Sequence, residues 1–122
     1  MSLKILAIDD SRTIRELIKS ALAQAGFTVF LAVDGQDGLD KIDEIAPDVV
    51  ITDINMPRLD GFGFIKAIRG SGRHPALPIL VLTTESAADL KAKARDAGAT
   101  AWIVKPFDEV KLISAIRRVS AA

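Results

Sequence analysis

Short runs of consecutive apolar residues alternate along this chain with longer stretches in which apolar residues recur every three or four positions. Ile5-Leu6-Ala7-Ile8, Val49-Val50-Ile51-Thr52, Ile79-Leu80-Val81-Leu82 and Ala101-Trp102-Ile103-Val104 are near-continuous runs, the pattern of strands buried on both faces of a parallel sheet. The intervening stretches read as helices. In the first, Ile14, Leu17, Ile18, Ala21, Leu22 and Ala25 share one face, with Arg12, Arg15, Glu16 and Lys19 off it. In the last, Leu112, Ile113, Ile116 and Val119 point inward and Lys111 and Arg118 outward. The pattern predicts strands at about 4–8, 27–31, 48–53, 78–83 and 101–105, and helices at about 12–25, 35–45, 61–70, 86–97 and 108–120. Gly26 and Gly98 follow helices where a left-handed cap is needed, and Asp108 is placed to cap the last helix. Gly38 is expected to weaken the second helix by ~1 kcal/mol relative to Ala, without functional consequence. Gly70-Ser71-Gly72-Arg73-His74-Pro75 reads as a flexible plain connection, and His74 within it as a surface residue.

Five alternating strand–helix units require right-handed crossovers and a sheet covered on both faces. They match an α/β, flavodoxin-like (βα)5 doubly wound fold with five parallel strands in the order 2-1-3-4-5. A length of 122 residues is that of one domain, spanning 1–122. Sixteen basic and sixteen acidic residues give a formal net charge of zero, which argues against nucleic-acid or membrane-surface binding. The absence of cysteine excludes disulfides, thiolate catalysis and thiolate metal ligands. The chain enters a strand without a leader, and no apolar run approaches the ~20 residues that span a bilayer. A cytoplasmic monomer is therefore the expectation, and direct DNA-binding output is not expected, because no effector segment follows Ala122 in this sequence.

The candidate chemistry lies where the apolar runs end. They terminate in Asp9-Asp10, Asp53, Thr83 and Lys105-Pro106. A parallel sheet brings those ends to one edge, and the order 2-1-3-4-5 sets strands 1 and 3 side by side at the switch point. Each residue has an ordinary reading alone: Asp9-Asp10 as a helix N-cap, Asp53 as a turn residue, Thr83 as a cap shared with Thr84 or Ser86, Lys105 as an edge lysine. Together they suit a divalent cation and a phosphoryl group. Three clustered carboxylates repel one another unless a cation joins them. Mg²⁺ binds through a few carboxylates, waters and phosphate oxygens, and Asn55 can add its backbone carbonyl. The ammonium of Lys105 and the hydroxyl of Thr83 are suited to phosphoryl oxygens. A cis Lys105-Pro106 peptide would turn the chain and aim the lysine across the strand ends.

At these motifs the chain resembles a known family. Asp9-Asp10, Asp53-Ile54-Asn55-Met56-Pro57-Arg58-Leu59-Asp60-Gly61, Thr83-Thr84-Glu85 and Lys105-Pro106-Phe107 are similar in type, order and spacing to the receiver domain of two-component response regulators, most of all to single-domain chemotaxis regulators of the CheY type. The resemblance implies that Asp53 accepts a phosphoryl group from a phosphohistidine. It implies that Asp9, Asp10 and Asp53, with the Asn55 carbonyl, hold Mg²⁺, that Lys105 pairs with phosphoryl oxygens, and that Thr83 hydrogen-bonds the phosphoryl group and moves with it. Trp102 stands where the family carries a switch aromatic. Thr84 stands where the family tends to have a smaller residue, and its bulk opposes inward movement of Trp102. Asn55 and Glu85 flank the site where the family tunes dephosphorylation.

The implied partners are a CheA-like histidine kinase or a histidine phosphotransfer domain, and an output target such as the flagellar motor switch. That target would meet the helix 4–strand 5–helix 5 face, where Lys91, Arg95, Lys111 and Arg118 favour an acidic partner. A phosphorelay or phosphate-sink receiver is the alternative on the same fold. Self-phosphorylation and slow autodephosphorylation, not turnover, are the expected chemistry. A haloacid-dehalogenase-type hydrolase fits less well, since that family wants an acid where Asn55 stands and usually adds a cap. A flavin carrier fits poorly, since Asp9-Asp10 puts negative charge where a flavin phosphate would sit.

Overall fold

The computed structural model describes residues 2–120. Five strands and five helices alternate: β1 (Lys4–Ile8), α1 (Arg12–Gln24), β2 (Thr28–Ala32), α2 (Gly35–Ile45), β3 (Val49–Thr52), α3 (Gly61–Ser71), β4 (Ile79–Thr83), α4 (Ala88–Ala97), β5 (Ala101–Val104) and α5 (Glu109–Ser120). All strand pairs are parallel, in the order β2-β1-β3-β4-β5. This is the flavodoxin-like topology that the alternating pattern predicts. The register sets Ile5 beside both Val29 and Val49, Val50 beside Ile79, and Leu80 beside Ala101.

Alternate residues of the central strands feed two cores, which is why their apolar runs are continuous. Leu6, Ile8, Val50, Ile79 and Val81 join Ile42, Phe64, Ile65 and Ile68 on the side of α2, α3 and α4. Ile5, Ala7, Val49, Ile51, Leu80 and Leu82 join Ile18, Leu22, Leu112 and Ile116 under α1 and α5. The edge strand β2 is only half-buried. α2 covers the end of this edge: Lys41 Nζ donates to the Leu31 carbonyl (3.0 Å), and Val33 N–H, just past the strand, donates to Asp37 Oδ2 (3.0 Å).

Ser11, Asp34, Asp60 and Asp108 cap the N-termini of α1, α2, α3 and α5 through side-chain oxygens. Gly26 (φ +95°) and Gly98 (φ +116°) take the expected left-handed positions. Three expectations need correction. α4 starts at Ala88 rather than 86 and has no side-chain cap at Ala87, and the Thr83 hydroxyl accepts the Glu85 N–H (3.3 Å). α3 runs through Ser71 to a left-handed stop at Gly72. The 70–75 connection is tethered: Arg73 Nη1 pairs with Asp43 Oδ2 (2.7 Å), and the His74 ring bonds Asp43 Oδ1 (3.0 Å) with its side chain only 19% exposed. Arg69 donates to the carbonyls of His74 and Gly98.

Gly38 is the fourth correction. A Cβ there would lie 2.5 Å from Ile8 Cδ1 and 3.1 Å from Phe64 Cε1, both in the core. The residue is small because α2 lies close against β1, so its helix-propensity penalty is the condition of that packing. Gly38→Ala should lower stability by about 1 kcal/mol, since overpacking outweighs the propensity gain. Ile8→Val removes the clashing Cδ1, so Ile8→Val with Gly38→Ala should recover part of the loss. Urea unfolding of the four proteins checks this, and a stabilised Gly38→Ala single variant refutes it.

Candidate functional site

The C-terminal ends of β1, β3, β4 and β5 bring Asp9, Asp10, Asp53, Thr83 and Lys105 to one edge of the sheet. Asp9, 2% exposed, sits just before the N-cap of α1, and its Oδ1 accepts the Ser11 N–H at 2.8 Å. Asp10 is exposed. Asp53 follows β3, where its N–H donates to the Ile8 carbonyl (3.0 Å) and its Oδ1 accepts the Ile54 N–H (2.6 Å). Gly61 makes room there, since a Cβ on it would overlap the Asp53 carbonyl oxygen.

Lys105 is anchored by its N–H to the Thr83 carbonyl (2.7 Å), and the Lys105-Pro106 peptide is cis, as the sequence reading expects. Its side chain, 9% exposed, crosses the strand ends. Nζ lies 2.7 Å from Asp9 Oδ2 and 2.8 Å from Asp53 Oδ2. Burial alone would lower the Lys105 pKa, but hydrogen bonds to Asp53 and Asp9 and their charges outweigh it and hold the pKa above the ordinary value. Burial pushes the Asp9 carboxyl up, against the lowering effect of Lys105 and the Ser11 amide, with a further push from the Asp53 charge.

Oxygens of Asp9, Asp10 and Asp53 all lie within 4.8 Å of one another. Three formal carboxylates against one ammonium leave two negative charges, the charge of one divalent cation. Hard oxygen donors, one of them solvent-exposed, suit a cation that keeps some of its water.

Around this centre Asn55, Glu85, Thr83 and Trp102 fall into one chain of contacts, and Thr84 stands outside it. Thr83 is buried, Thr84 is exposed and Asn55 is exposed. Asn55 Nδ2 donates to Glu85 Oε1 (3.0 Å), Glu85 N–H to Thr83 Oγ1 (3.3 Å), and Trp102 Nε1–H to the Glu85 carbonyl (3.0 Å). Trp102 is half-buried against the core on the α3–α4 side. One pair escapes sequence reasoning. Arg58 grips Asp34 through Nε (2.7 Å) and Nη2 (3.0 Å), and that grip holds the Asp34 carboxyl below its ordinary pKa. The only signal was an acidic cap and a loop arginine, which become neighbours once α2 and α3 pack together.

The sequence profile described as "Response regulator receiver domain" matches residues 5–117. The chain belongs to that family. The receiver is 40% identical to the response regulator MprA of Mycobacterium tuberculosis over 117 residues, 96% of this chain and 50% of that protein. It is 36% identical to the protein PilG of Pseudomonas aeruginosa, over 94% of this chain and 85% of that protein. It thus spans about half the length of the MprA relatives. Among solved structures, the chemotaxis protein CheY4 of Vibrio cholerae superposes with a TM-score of 0.93 at 41% identity, covering 98% of this chain and 99% of that one. Among the described residues, no helix of this receiver is long and apolar enough to cross a membrane.

The raised Asp9 pKa carries a sign. A raised folded-state value means that the proton is held more tightly in the folded protein. Its stabilising contribution is complete below the unfolded value of 3.8 and is lost as pH rises through the folded value. Asp9→Asn keeps an acceptor for Ser11 and removes that charge. Without divalent cation, it should be more stable than wild type at pH 7, with the advantage shrinking as pH falls toward 4. Urea unfolding at both pH values decides this, and an Asp9→Asn protein less stable at pH 7 contradicts it.

Proposed function

We propose that this receiver is a phosphorylation switch in which Asp53 accepts a phosphoryl group from a phosphohistidine of a partner kinase. The observation that carries the reading is the convergence of Asp53 with two further carboxylates and a shared ammonium on the carboxyl edge of the sheet. In the transfer an Asp53 oxygen bonds to phosphorus, the phosphorus–nitrogen bond breaks, and the imidazole leaves with the electron pair. The Ile54 N–H fixes the carboxylate by one oxygen and leaves Oδ2 facing Lys105. Lys105, kept charged by its two partners, then follows the charge from Asp53 Oδ2 to the phosphoryl oxygens. Thr83 already accepts from Glu85, and its hydroxyl hydrogen is free to donate to the phosphoryl group. We assign Asp9, Asp10 and Asp53, with the Asn55 carbonyl, as the Mg²⁺ site. When bound, Mg²⁺ supplies neutralisation of the charge on the transferring group.

The output surface in this proposal is α4–β5–α5. A groove of about 170 Å³ between α4 and β5 is lined by Lys91, Arg95 and Trp102, and one of about 400 Å³ between β5 and α5 by Trp102, Lys111 and Arg118. All four predicted basic residues flank Trp102, which supports an acidic partner. The likeness to a chemotaxis regulator supports a motor-switch or similar chemotaxis target; a phosphorelay partner is the competing output.

With acetyl phosphate and Mg²⁺, wild type should gain one phosphate by intact mass and Asp53→Asn none. Equal labelling of Asp53→Asn overturns the assignment. Lys111→Glu with Arg118→Glu should weaken binding of the phosphorylated protein to an Asp/Glu-rich peptide, most clearly at low salt. Unchanged binding removes the acidic-partner assignment.

A further inference from the structure

The β3–α3 loop carries Asn55 and, three residues on, a backbone conformation that needs explanation. Arg58 has φ +65°, a region that residues other than glycine seldom enter. The Leu59 N–H donates to the Pro57 carbonyl at 2.8 Å, closing a three-residue turn around Arg58 of the rare, strained positive-φ kind. Such a conformation persists only where its surroundings hold it.

The holding contacts are visible. Arg58 meets Asp34 with two parallel hydrogen bonds (2.7 and 3.0 Å), a geometry that fixes direction as well as distance. The Asp34 side chain is 7% exposed and is itself immobilised, because its Oδ1 caps α2 through the Asp37 N–H (2.8 Å). The start of α2 also meets the loop directly: Gly35 N–H donates to the Leu59 carbonyl (3.0 Å), and a Cβ on Gly35 would overlap that oxygen. On the other side of Asn55, Gly61 N–H donates to the Ile54 carbonyl (2.9 Å). The Asn55 amide nitrogen is engaged with Glu85, and the proposed cation site takes the Asn55 backbone carbonyl as its ligand.

We infer that the two-pronged Arg58–Asp34 contact is a latch that sets the direction of the Asn55 carbonyl, making Arg58 and Asp34 positioning residues of the cation site. The inference rests on the reading of Asn55 as a cation ligand. Arg58 is 57% exposed, and pairs that exposed contribute little to global stability. The latch acts on loop geometry: without it, strained or not, the turn at residue 58 is free to move and the carbonyl loses its fixed orientation. Outer contacts that orient a metal ligand typically alter metal affinity by about tenfold or more.

The test is Mg²⁺ titration by calorimetry, with thermal unfolding of each variant in parallel. Arg58→Ala and Asp34→Asn should each weaken Mg²⁺ binding about tenfold; Asn keeps the α2 cap. The double variant should be no worse than either single one, because both remove the same contact. Arg58→Lys should restore only part, having one prong. Arg58→Gly is the deciding variant, since glycine accepts the positive φ without strain. It should keep wild-type thermal stability and still lose Mg²⁺ affinity. In all of these the deficit in labelling by acetyl phosphate should shrink as Mg²⁺ is raised. Wild-type Mg²⁺ affinity in Arg58→Ala and Arg58→Gly overturns the latch. Asp10→Asn separates the two ideas. If it abolishes Mg²⁺ binding while the Arg58 variants bind normally, only the latch falls. If Asp10→Asn binds Mg²⁺ like wild type, the metal reading falls and the latch with it.

Discussion

One ammonium serves two carboxylates at the centre of this protein, and the site is organised around that shortage of positive charge. Parallel strands oblige Asp9 and Asp53 to emerge side by side from β1 and β3, and Lys105 reaches both from the far edge strand. Asp10 adds a third acid within 4.8 Å with no basic partner of its own among the described ion pairs. The raised pKa of Asp9 is the energetic trace of this arrangement, because a group buried against its preference is held there by the fold. Perturbed ionisation of this kind gathers where chemistry is done. A fold selected only for stability would replace one of the acids.

Much of this was legible in the order of residues. Continuous apolar runs at Ile5–Ile8, Val49–Thr52 and Ile79–Leu82 marked strands covered on both faces, and parallel topology then placed the polar residues after them on one edge. The resemblance to receivers added roles to residues already singled out. What stayed hidden shares a cause: it depends on contacts between segments distant in sequence. Gly38 looked like a weak point in a helix until Ile8 and Phe64 occupied the space beside it. The 70–75 segment has the composition of a free loop, yet Asp43 on α2 holds both Arg73 and His74. Arg58 and Asp34 stand 24 positions apart, and no local pattern pairs them. α4 starts two residues beyond its predicted beginning, and no side chain caps it there.

Glu85 is the point at which the site meets the surface proposed for output. Its side chain accepts from Asn55, its N–H donates to Thr83 and its carbonyl accepts from Trp102. These three bonds form a contiguous network from the strand ends to the grooves flanked by Lys91, Arg95, Lys111 and Arg118. In the proposed switch, Thr83 moving toward a phosphoryl oxygen draws on the longest of the three, at 3.3 Å. Glu85 cannot follow without disturbing Asn55 and Trp102.

The magnitudes say what such a network can and cannot do. A hydrogen bond between neutral groups contributes about 1 kcal/mol net and one to a charged group about 2, so the two neutral bonds and the Asn55–Glu85 bond together bias the loop by about 4 kcal/mol. Carrying a two-state equilibrium from 1:99 to 99:1 takes about 5.5 kcal/mol. Rearranging the Glu85 contacts therefore falls short of a complete switch, and the remainder must come from charged groups. Lys105 is the group able to supply it, since hydrogen bonds to ionised partners are roughly twice as strong as neutral ones. In the proposed switch it leaves two carboxylates for a phosphoryl group that carries more charge than the oxygen it leaves. The residue that restrains the acids in the resting protein is thus also the one that drives the proposed switch. In that proposal the loop bonds at Glu85 carry the change to Trp102.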